Sequence, residues 1–167
     1  MGPKFDPTVA KSVRFMVTGG ESSTVPMQKL GPLGVPPKKV VEDIVKTTKG
    51  WQGIRIVVKV TVLNRVASVE ILPTSSALIL KALSGPVRDR KAKKNMEQKH
   101  NENISFATIL DISRQMRHKT KSNNFEGTVK QILGTARIIG ARVDNVSPQE
   151  IIERIRNKEE AYIVLDE

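Results

Sequence analysis

The sequence predicts an α+β protein in two parts: a small N-terminal α/β domain with an antiparallel sheet, then, beyond a boundary at Pro73, a compact C-terminal three-helix domain. Three observations predict it. Apolar residues alternate with polar ones in three short runs before residue 72, which is the period of half-buried strands. After Pro73 the apolar residues recur at helical spacing instead. The 28 Lys and Arg against 17 Asp and Glu fall mostly in the first 146 of the 167 residues, so both parts are basic.

Each element follows from local chemistry. Val13, Phe15 and Val17 alternate with Ser12, Arg14, Met16 and Thr18, which predicts a first strand. Gly19-Gly20 ends it. The next stretch is rich in turn-formers: Pro26, Gly31-Pro32, Gly34 and Pro36-Pro37. Pro36 or Pro37 suits the first position of a helix, because its missing amide is not needed there. Val40, Val41, Ile44 and Val45 then form an apolar stripe, with Lys38, Lys39, Glu42 and Lys46 outside it. Ile54, Ile56, Val58, Val60 and Val62 make a second strand, Asn64-Arg65 turns the chain, and Val66 to Leu72 returns as a partner.

Pro73 marks the boundary, since the residue before a proline stays extended. Three helices are expected after it. The first spans about 75–83, capped by Thr74 or Ser75. The second spans about 106–118, capped by Ser105, with Phe106, Ile109, Leu110 and Met116 inward. The third spans about 126–143. Residues 85–103 are charged without apolar period and are expected to be a loop that is mobile when free. A further short helix over 148–156 is possible by pattern, with a frayed end. The domains are therefore 1–72, 73–146 and an acidic C-terminal extension, 147–167. Their net charges are +6, +8 and −3, so the extension is expected to point away from a polyanion.

The third helix carries the chemistry. Val129, Ile132, Leu133, Ala136, Ile139 and Val143 follow core spacing, so at 100° per residue Gly127, Gly134 and Ala141 fall near the opposite side. An exposed mid-helix glycine costs about 1 kcal/mol relative to alanine. Close approach of another backbone would offset that. Lys130 and Arg137 flank the smooth strip on one side, and Thr128, Thr135 and Arg142 on the other. Small residues between hydroxyls and cations suit a shallow RNA minor groove, with its 2′-hydroxyls and phosphates. The plainer alternative is a helix packed on another protein helix through its glycines. Arg88, Arg90, Lys91, Lys93 and Lys94 in the loop, with Arg114 and Arg117 on the second helix, add phosphate-binding candidates. Charge runs are usually solvated faces, and cations are favoured at helix C-termini in any case. The segment with Pro26, Gly31, Pro32, Gly34 and Pro36 is either a plain rigid loop or a stiff element that meets partners at low entropic cost.

Several function classes are not supported. There is no cysteine, so no disulfide framework and no thiolate zinc site. His100 and His118 are the only histidines and lack metal-ligand spacing. No phosphate loop or nucleophile constellation occurs, so no enzyme and no cofactor is expected. No apolar run approaches the ~20 residues of a membrane span. A DNA-binding regulator of helix-turn-helix type is the alternative for a basic three-helix domain. A major-groove reader, however, needs Asn, Gln or Arg on its exposed face.

Several segments carry a resemblance. They are 29–34 (Lys-Leu-Gly-Pro-Leu-Gly), 36–40 (Pro-Pro-Lys-Lys-Val), 76–83 (Ser-Ala-Leu-Ile-Leu-Lys-Ala-Leu), 114–118 (Arg-Gln-Met-Arg-His) and 132–137 (Ile-Leu-Gly-Thr-Ala-Arg). In their order and spacing the chain resembles the universal large-subunit ribosomal protein eleven family, called twelve in the older eukaryotic numbering. Arg88-Asp89-Arg90-Lys91 and the acidic tail look like its eukaryotic or archaeal branch. The resemblance implies a cytoplasmic constituent of the large ribosomal subunit, assembled in the nucleolus if eukaryotic. Its C-terminal domain would bind rRNA of the GTPase-associated centre, with the helix around Gly134 and Thr135 in a minor groove and the preceding loop ordered on binding. Its N-terminal domain would move on a hinge and face rRNA and translation factors through the Gly/Pro segment. It would help form the stalk base beside the protein that carries the acidic stalk dimers. One departure stands out. Bacterial members place consecutive prolines just before the Gly-Pro pair and bind thiopeptide antibiotics there, whereas Gln28 and Lys29 occupy that stretch here. This argues against antibiotic binding.

Overall fold

The computed structural model describes residues 10–83, 102–159 and 162, and these fall into two compact units that divide after Pro73. The first unit is a three-stranded antiparallel sheet in the order β1 (Lys11–Thr18), β2 (Arg55–Leu63), β3 (Val66–Leu72). The period of two places Phe15, Val58 and Ile71 in one cross-strand row and Val13, Val60 and Val69 in the next. Phe15, Val17, Ile56, Val58, Val60 and Val62 are buried. Each such side chain stabilises the fold by about 1.5–3 kcal/mol through burial. The β2–β3 turn has φ of 50° at Asn64 and 63° at Arg65. Positive φ at both central residues is the two-residue hairpin geometry whose twist matches the strands.

Helix α2 (Pro37–Thr47) opens with Pro37 in its first turn and buries Val40, Val41 and Ile44 on the sheet. The Gly/Pro segment before it is more structured than a plain loop. It forms a single helical turn, α1 (Met27–Leu30), and a 3₁₀ turn over Gly31–Leu33. Leu30, Leu33 and Val35 are buried under it. Three aliphatic anchors within six residues pin a stretch whose composition suggested only turns.

The second unit contains α3 (Ser75–Leu83), β4 (Asn103–Ile104), α4 (Phe106–Met116), α5 (Phe125–Ile139), β5 (Arg142–Val143) and α6 (Pro148–Arg156). Thr74 caps α3, its hydroxyl accepting from the Ala77 amide at 3.3 Å. Ser105 caps α4 through the Thr108 amide at 3.3 Å. α5 lies at the centre, packed by α3, α4 and α6. Val129, Ile132, Leu133 and Ala136 of α5 meet Ile79, Ile109, Ile112 and Met116 in the core.

Three expectations change here. First, α5 stops at Ile139 rather than running on to Val143. Gly140 adopts φ 91°, its amide donates to the Ala136 and Arg137 carbonyls, and the Ala141 amide also donates to Ala136. That double closure ends a helix, and the left-handed residue is nearly always glycine. Ala141 is consequently buried, not part of an exposed strip. Second, Asn103 belongs to β4, which pairs in parallel with β5, Ile104 opposite Val143. Third, the segment set apart as an acidic extension contains α6, whose Ile151 and Ile155 join the core together with Tyr162. The Tyr162 ring stands edge-on to Phe106 at 5.0 Å between centroids, and the Arg154 guanidinium lies 5.8 Å from its ring centroid.

Candidate nucleic-acid interface

The outward side of α5 is set by its inward side. With Val129, Ile132, Leu133 and Ala136 committed to the core, the opposite arc presents Lys130, Gln131, Gly134, Thr135, Arg137 and Ile138. A Cβ built on Gly134 would have no neighbour within 4 Å. Nothing in the fold therefore requires a glycine at this point. Arg137 is exposed, and Lys130 pairs with Glu126 one turn earlier. The Thr135 hydroxyl donates to the Gln131 carbonyl at 3.1 Å, leaving its lone pairs toward solvent. Ile138, 87% exposed, stands one turn beyond Gly134. A helical wheel drawn from Gly134 puts it within about 40° of the strip, so it could have been found from the sequence.

Three candidates leave this face. Thr128 is 0% exposed. Its hydroxyl sits under the 120–124 loop, within 3.0 Å of the Thr120 hydroxyl and 2.8 Å of the Ser122 hydroxyl. Arg117 supplies the charge that organises this loop. Its guanidinium donates to Thr128 Oγ1 at 3.0 Å and to the carbonyls of Ser122, Asn123 and Asn124 at 2.9, 2.6 and 3.2 Å. With those bonds made, Arg117 is a clasp between α4 and α5 rather than a projecting phosphate ligand. Gly127 is not bare either, since a Cβ there would come within 2.9 Å of Ser122 Cβ. Here glycine admits the loop, while at Gly134 it faces open space. Sequence periodicity treats the two alike because it does not contain the loop.

Arg88, Lys91, Lys93 and Lys94 lie outside the described residues. In the first unit, Gly31, Pro32, Gly34 and Pro36 are exposed and Pro26 is half-buried. They crown the segment whose other side is anchored by Leu30, Leu33 and Val35. Among the described residues no group of three metal-ligating side chains converges, and no helix is long and apolar enough to cross a membrane.

Comparison with known proteins is consistent along the chain. Residues 13–67 match the family described as ribosomal protein L11, N-terminal domain, and residues 71–143 match ribosomal protein L11, RNA binding domain. The large ribosomal subunit protein uL11 of Neurospora crassa is 48% identical over 157 residues, covering 93% of this chain and 94% of its own length. Large ribosomal subunit protein uL11A of Schizosaccharomyces pombe is 46% identical over 163 residues, 95% and 96% of the two chains. The uL11 of Caenorhabditis elegans is 45% identical over 161 residues, again 95% and 96%. None of these matches supports a DNA-binding regulator.

Proposed function

Since the chain belongs to the ribosomal protein L11 family, and is therefore a non-enzymatic, RNA-binding constituent of the large ribosomal subunit, we propose that α5 grips rRNA of the GTPase-associated centre through the face around Gly134. On this reading the helix lies in a minor groove, with Gly134 letting the sugar-phosphate backbone come close. Thr135 offers its hydroxyl to a 2′-hydroxyl, and Lys130 and Arg137 meet phosphates on the flank. Arg88, Lys91, Lys93 and Lys94 would contribute further phosphate contacts. In the first unit, the ridge of Pro26, Gly31, Pro32, Gly34 and Pro36 faces rRNA and translation factors. The protein then sits at the stalk base, beside the protein carrying the acidic stalk dimers, and supports factor action in the cytoplasm, with assembly in the nucleolus if its source is eukaryotic.

The observation that carries the RNA-groove reading is the open space at Gly134 on a face flanked by cations. A glycine there weakens the helix for no internal reason, so an external backbone is the natural cause. Gly134→Val tests it. Valine has higher helix propensity than glycine and meets nothing in the fold, so stability should hold or rise by a few tenths of a kcal/mol. Binding of the rRNA fragment, measured by filter retention, should weaken at least ~10-fold, about 1.4 kcal/mol. Unchanged affinity in the folded variant would refute the groove placement.

A further inference from the structure

Where α5 ends, the chain reverses through Gly140, makes a tight turn at Asp144-Asn145 and starts α6. These three pieces enclose an open cavity of about 430 Å³. Arg137, Arg142, Asn145, Ser147 and Glu150 are among its lining residues. We propose that this cavity holds a phosphodiester of the same RNA that lies on the Gly134 face, clamped between Arg137 and Arg142. The proposal rests on the groove reading and extends it to a second contact, built where the chain reverses after α5.

The cavity is held by the fold. Val143 and Val146 exchange backbone hydrogen bonds at 3.0 and 2.9 Å across the turn. The Asp144 carboxylate accepts from the Phe106 amide, and the Asn145 amide donates to Asn103 Oδ1 at 2.8 Å. Ala141, Val143 and Pro148 are buried. The backbone of the turn is therefore fixed before any ligand arrives, and the ordering cost on binding falls on the two arginine side chains.

Its chemistry selects an anion. Arg137 and Arg142 are both exposed, and neither is ion-paired among the described residues. Guanidinium forks match phosphate oxygens in pairs. The Ser147 hydroxyl caps no amide of α6 and remains available as a donor. Glu150 opposes the anion, leaving a local balance of two cations to one carboxylate. Arg137 selects RNA over a free anion. It lies one turn from Gly134, about 4.5 Å along the helix, so a strand on the groove face passes the mouth of the cavity. The competing account is that both arginines merely complement the negative end of α5. In that case they contribute to stability and not to the salt dependence of RNA binding.

The experiment uses the full chain and the rRNA fragment, titrated between about 50 and 200 mM salt. Arg142→Gln should weaken binding ~5-fold at the low end and reduce the slope of log affinity against log salt by about one phosphate. Arg142→Lys should restore the slope but only part of the affinity, because the point charge remains and the fork is lost. Glu150→Gln should tighten binding ~2-fold at low salt by removing the opposing charge. Wild-type affinity and slope in Arg142→Gln, with Gly134→Val still impaired, would overturn the cavity assignment alone. If Gly134→Val also binds as wild type, the groove reading fails and the cavity contact fails with it.

Discussion

Gly127 and Gly134 are two turns apart on one helix stripe, and their surroundings differ. The first is closed over by Ser122 and the second opens to solvent. Thr128 shows the same limit of periodicity. Its place beside the stripe is legible from the sequence, but its burial depends on Arg117, 11 residues earlier, drawing the carbonyls of residues 122–124 inward. Such a contact depends on loop geometry that no repeat encodes. Thr128→Val keeps the shape and removes the hydroxyl, leaving Arg117, Thr120 and Ser122 each short of a partner. Stability measured by urea unfolding should fall by about 1–3 kcal/mol. RNA affinity of the folded protein should stay within ~2-fold, since the hydroxyl does not reach the surface. A large loss of affinity without loss of stability would return Thr128 to the interface.

Among the elements, the three strands and α2 were legible because burial on one face imposes a strict period of two or 3.6. The two-residue strands β4 and β5 were not, since two residues carry no period. Spacing alone carries α5 on to Val143, which falls on its stripe, whereas Gly140 turns the chain after Ile139. α6 is the instructive case. Its limits, Pro148–Arg156, match the short helix that the pattern allows over 148–156. Its place in the core did not, because an acidic, charge-rich segment looks like a solvated tail. Ile151 is 0% exposed, so Ile151→Ala should cost about 2–5 kcal/mol. Thermal or urea unfolding checks this. A cost below ~0.5 kcal/mol would mean that α6 rests on the surface.

For the whole molecule, the division after Pro73 makes a claim about autonomy. A fragment of residues 74–167 contains the complete second core and should unfold cooperatively. It should also bind the rRNA fragment within ~5-fold of the full chain, with a similar salt slope, because the proposed contacts on α5 and at the cavity lie within it. A fragment ending at residue 146 lacks Ile151, Ile155 and Tyr162 and leaves α5 uncovered on one side. It should show a broad, weakly cooperative transition by circular dichroism. Equal cooperativity in both fragments would show that α6 is dispensable.

The packing of α6 also sets an order of events during synthesis. The first unit has all its strands by Leu72, so it can collapse while the remainder is still being made. The second core draws on positions from Ile79 to Tyr162, and its last members are translated after every residue of α5. Helix α5 therefore gains its full seat only once the stretch from Ile151 to Tyr162 has been made and packed. The last pieces of that seat are two isoleucines and a tyrosine, Ile151, Ile155 and Tyr162.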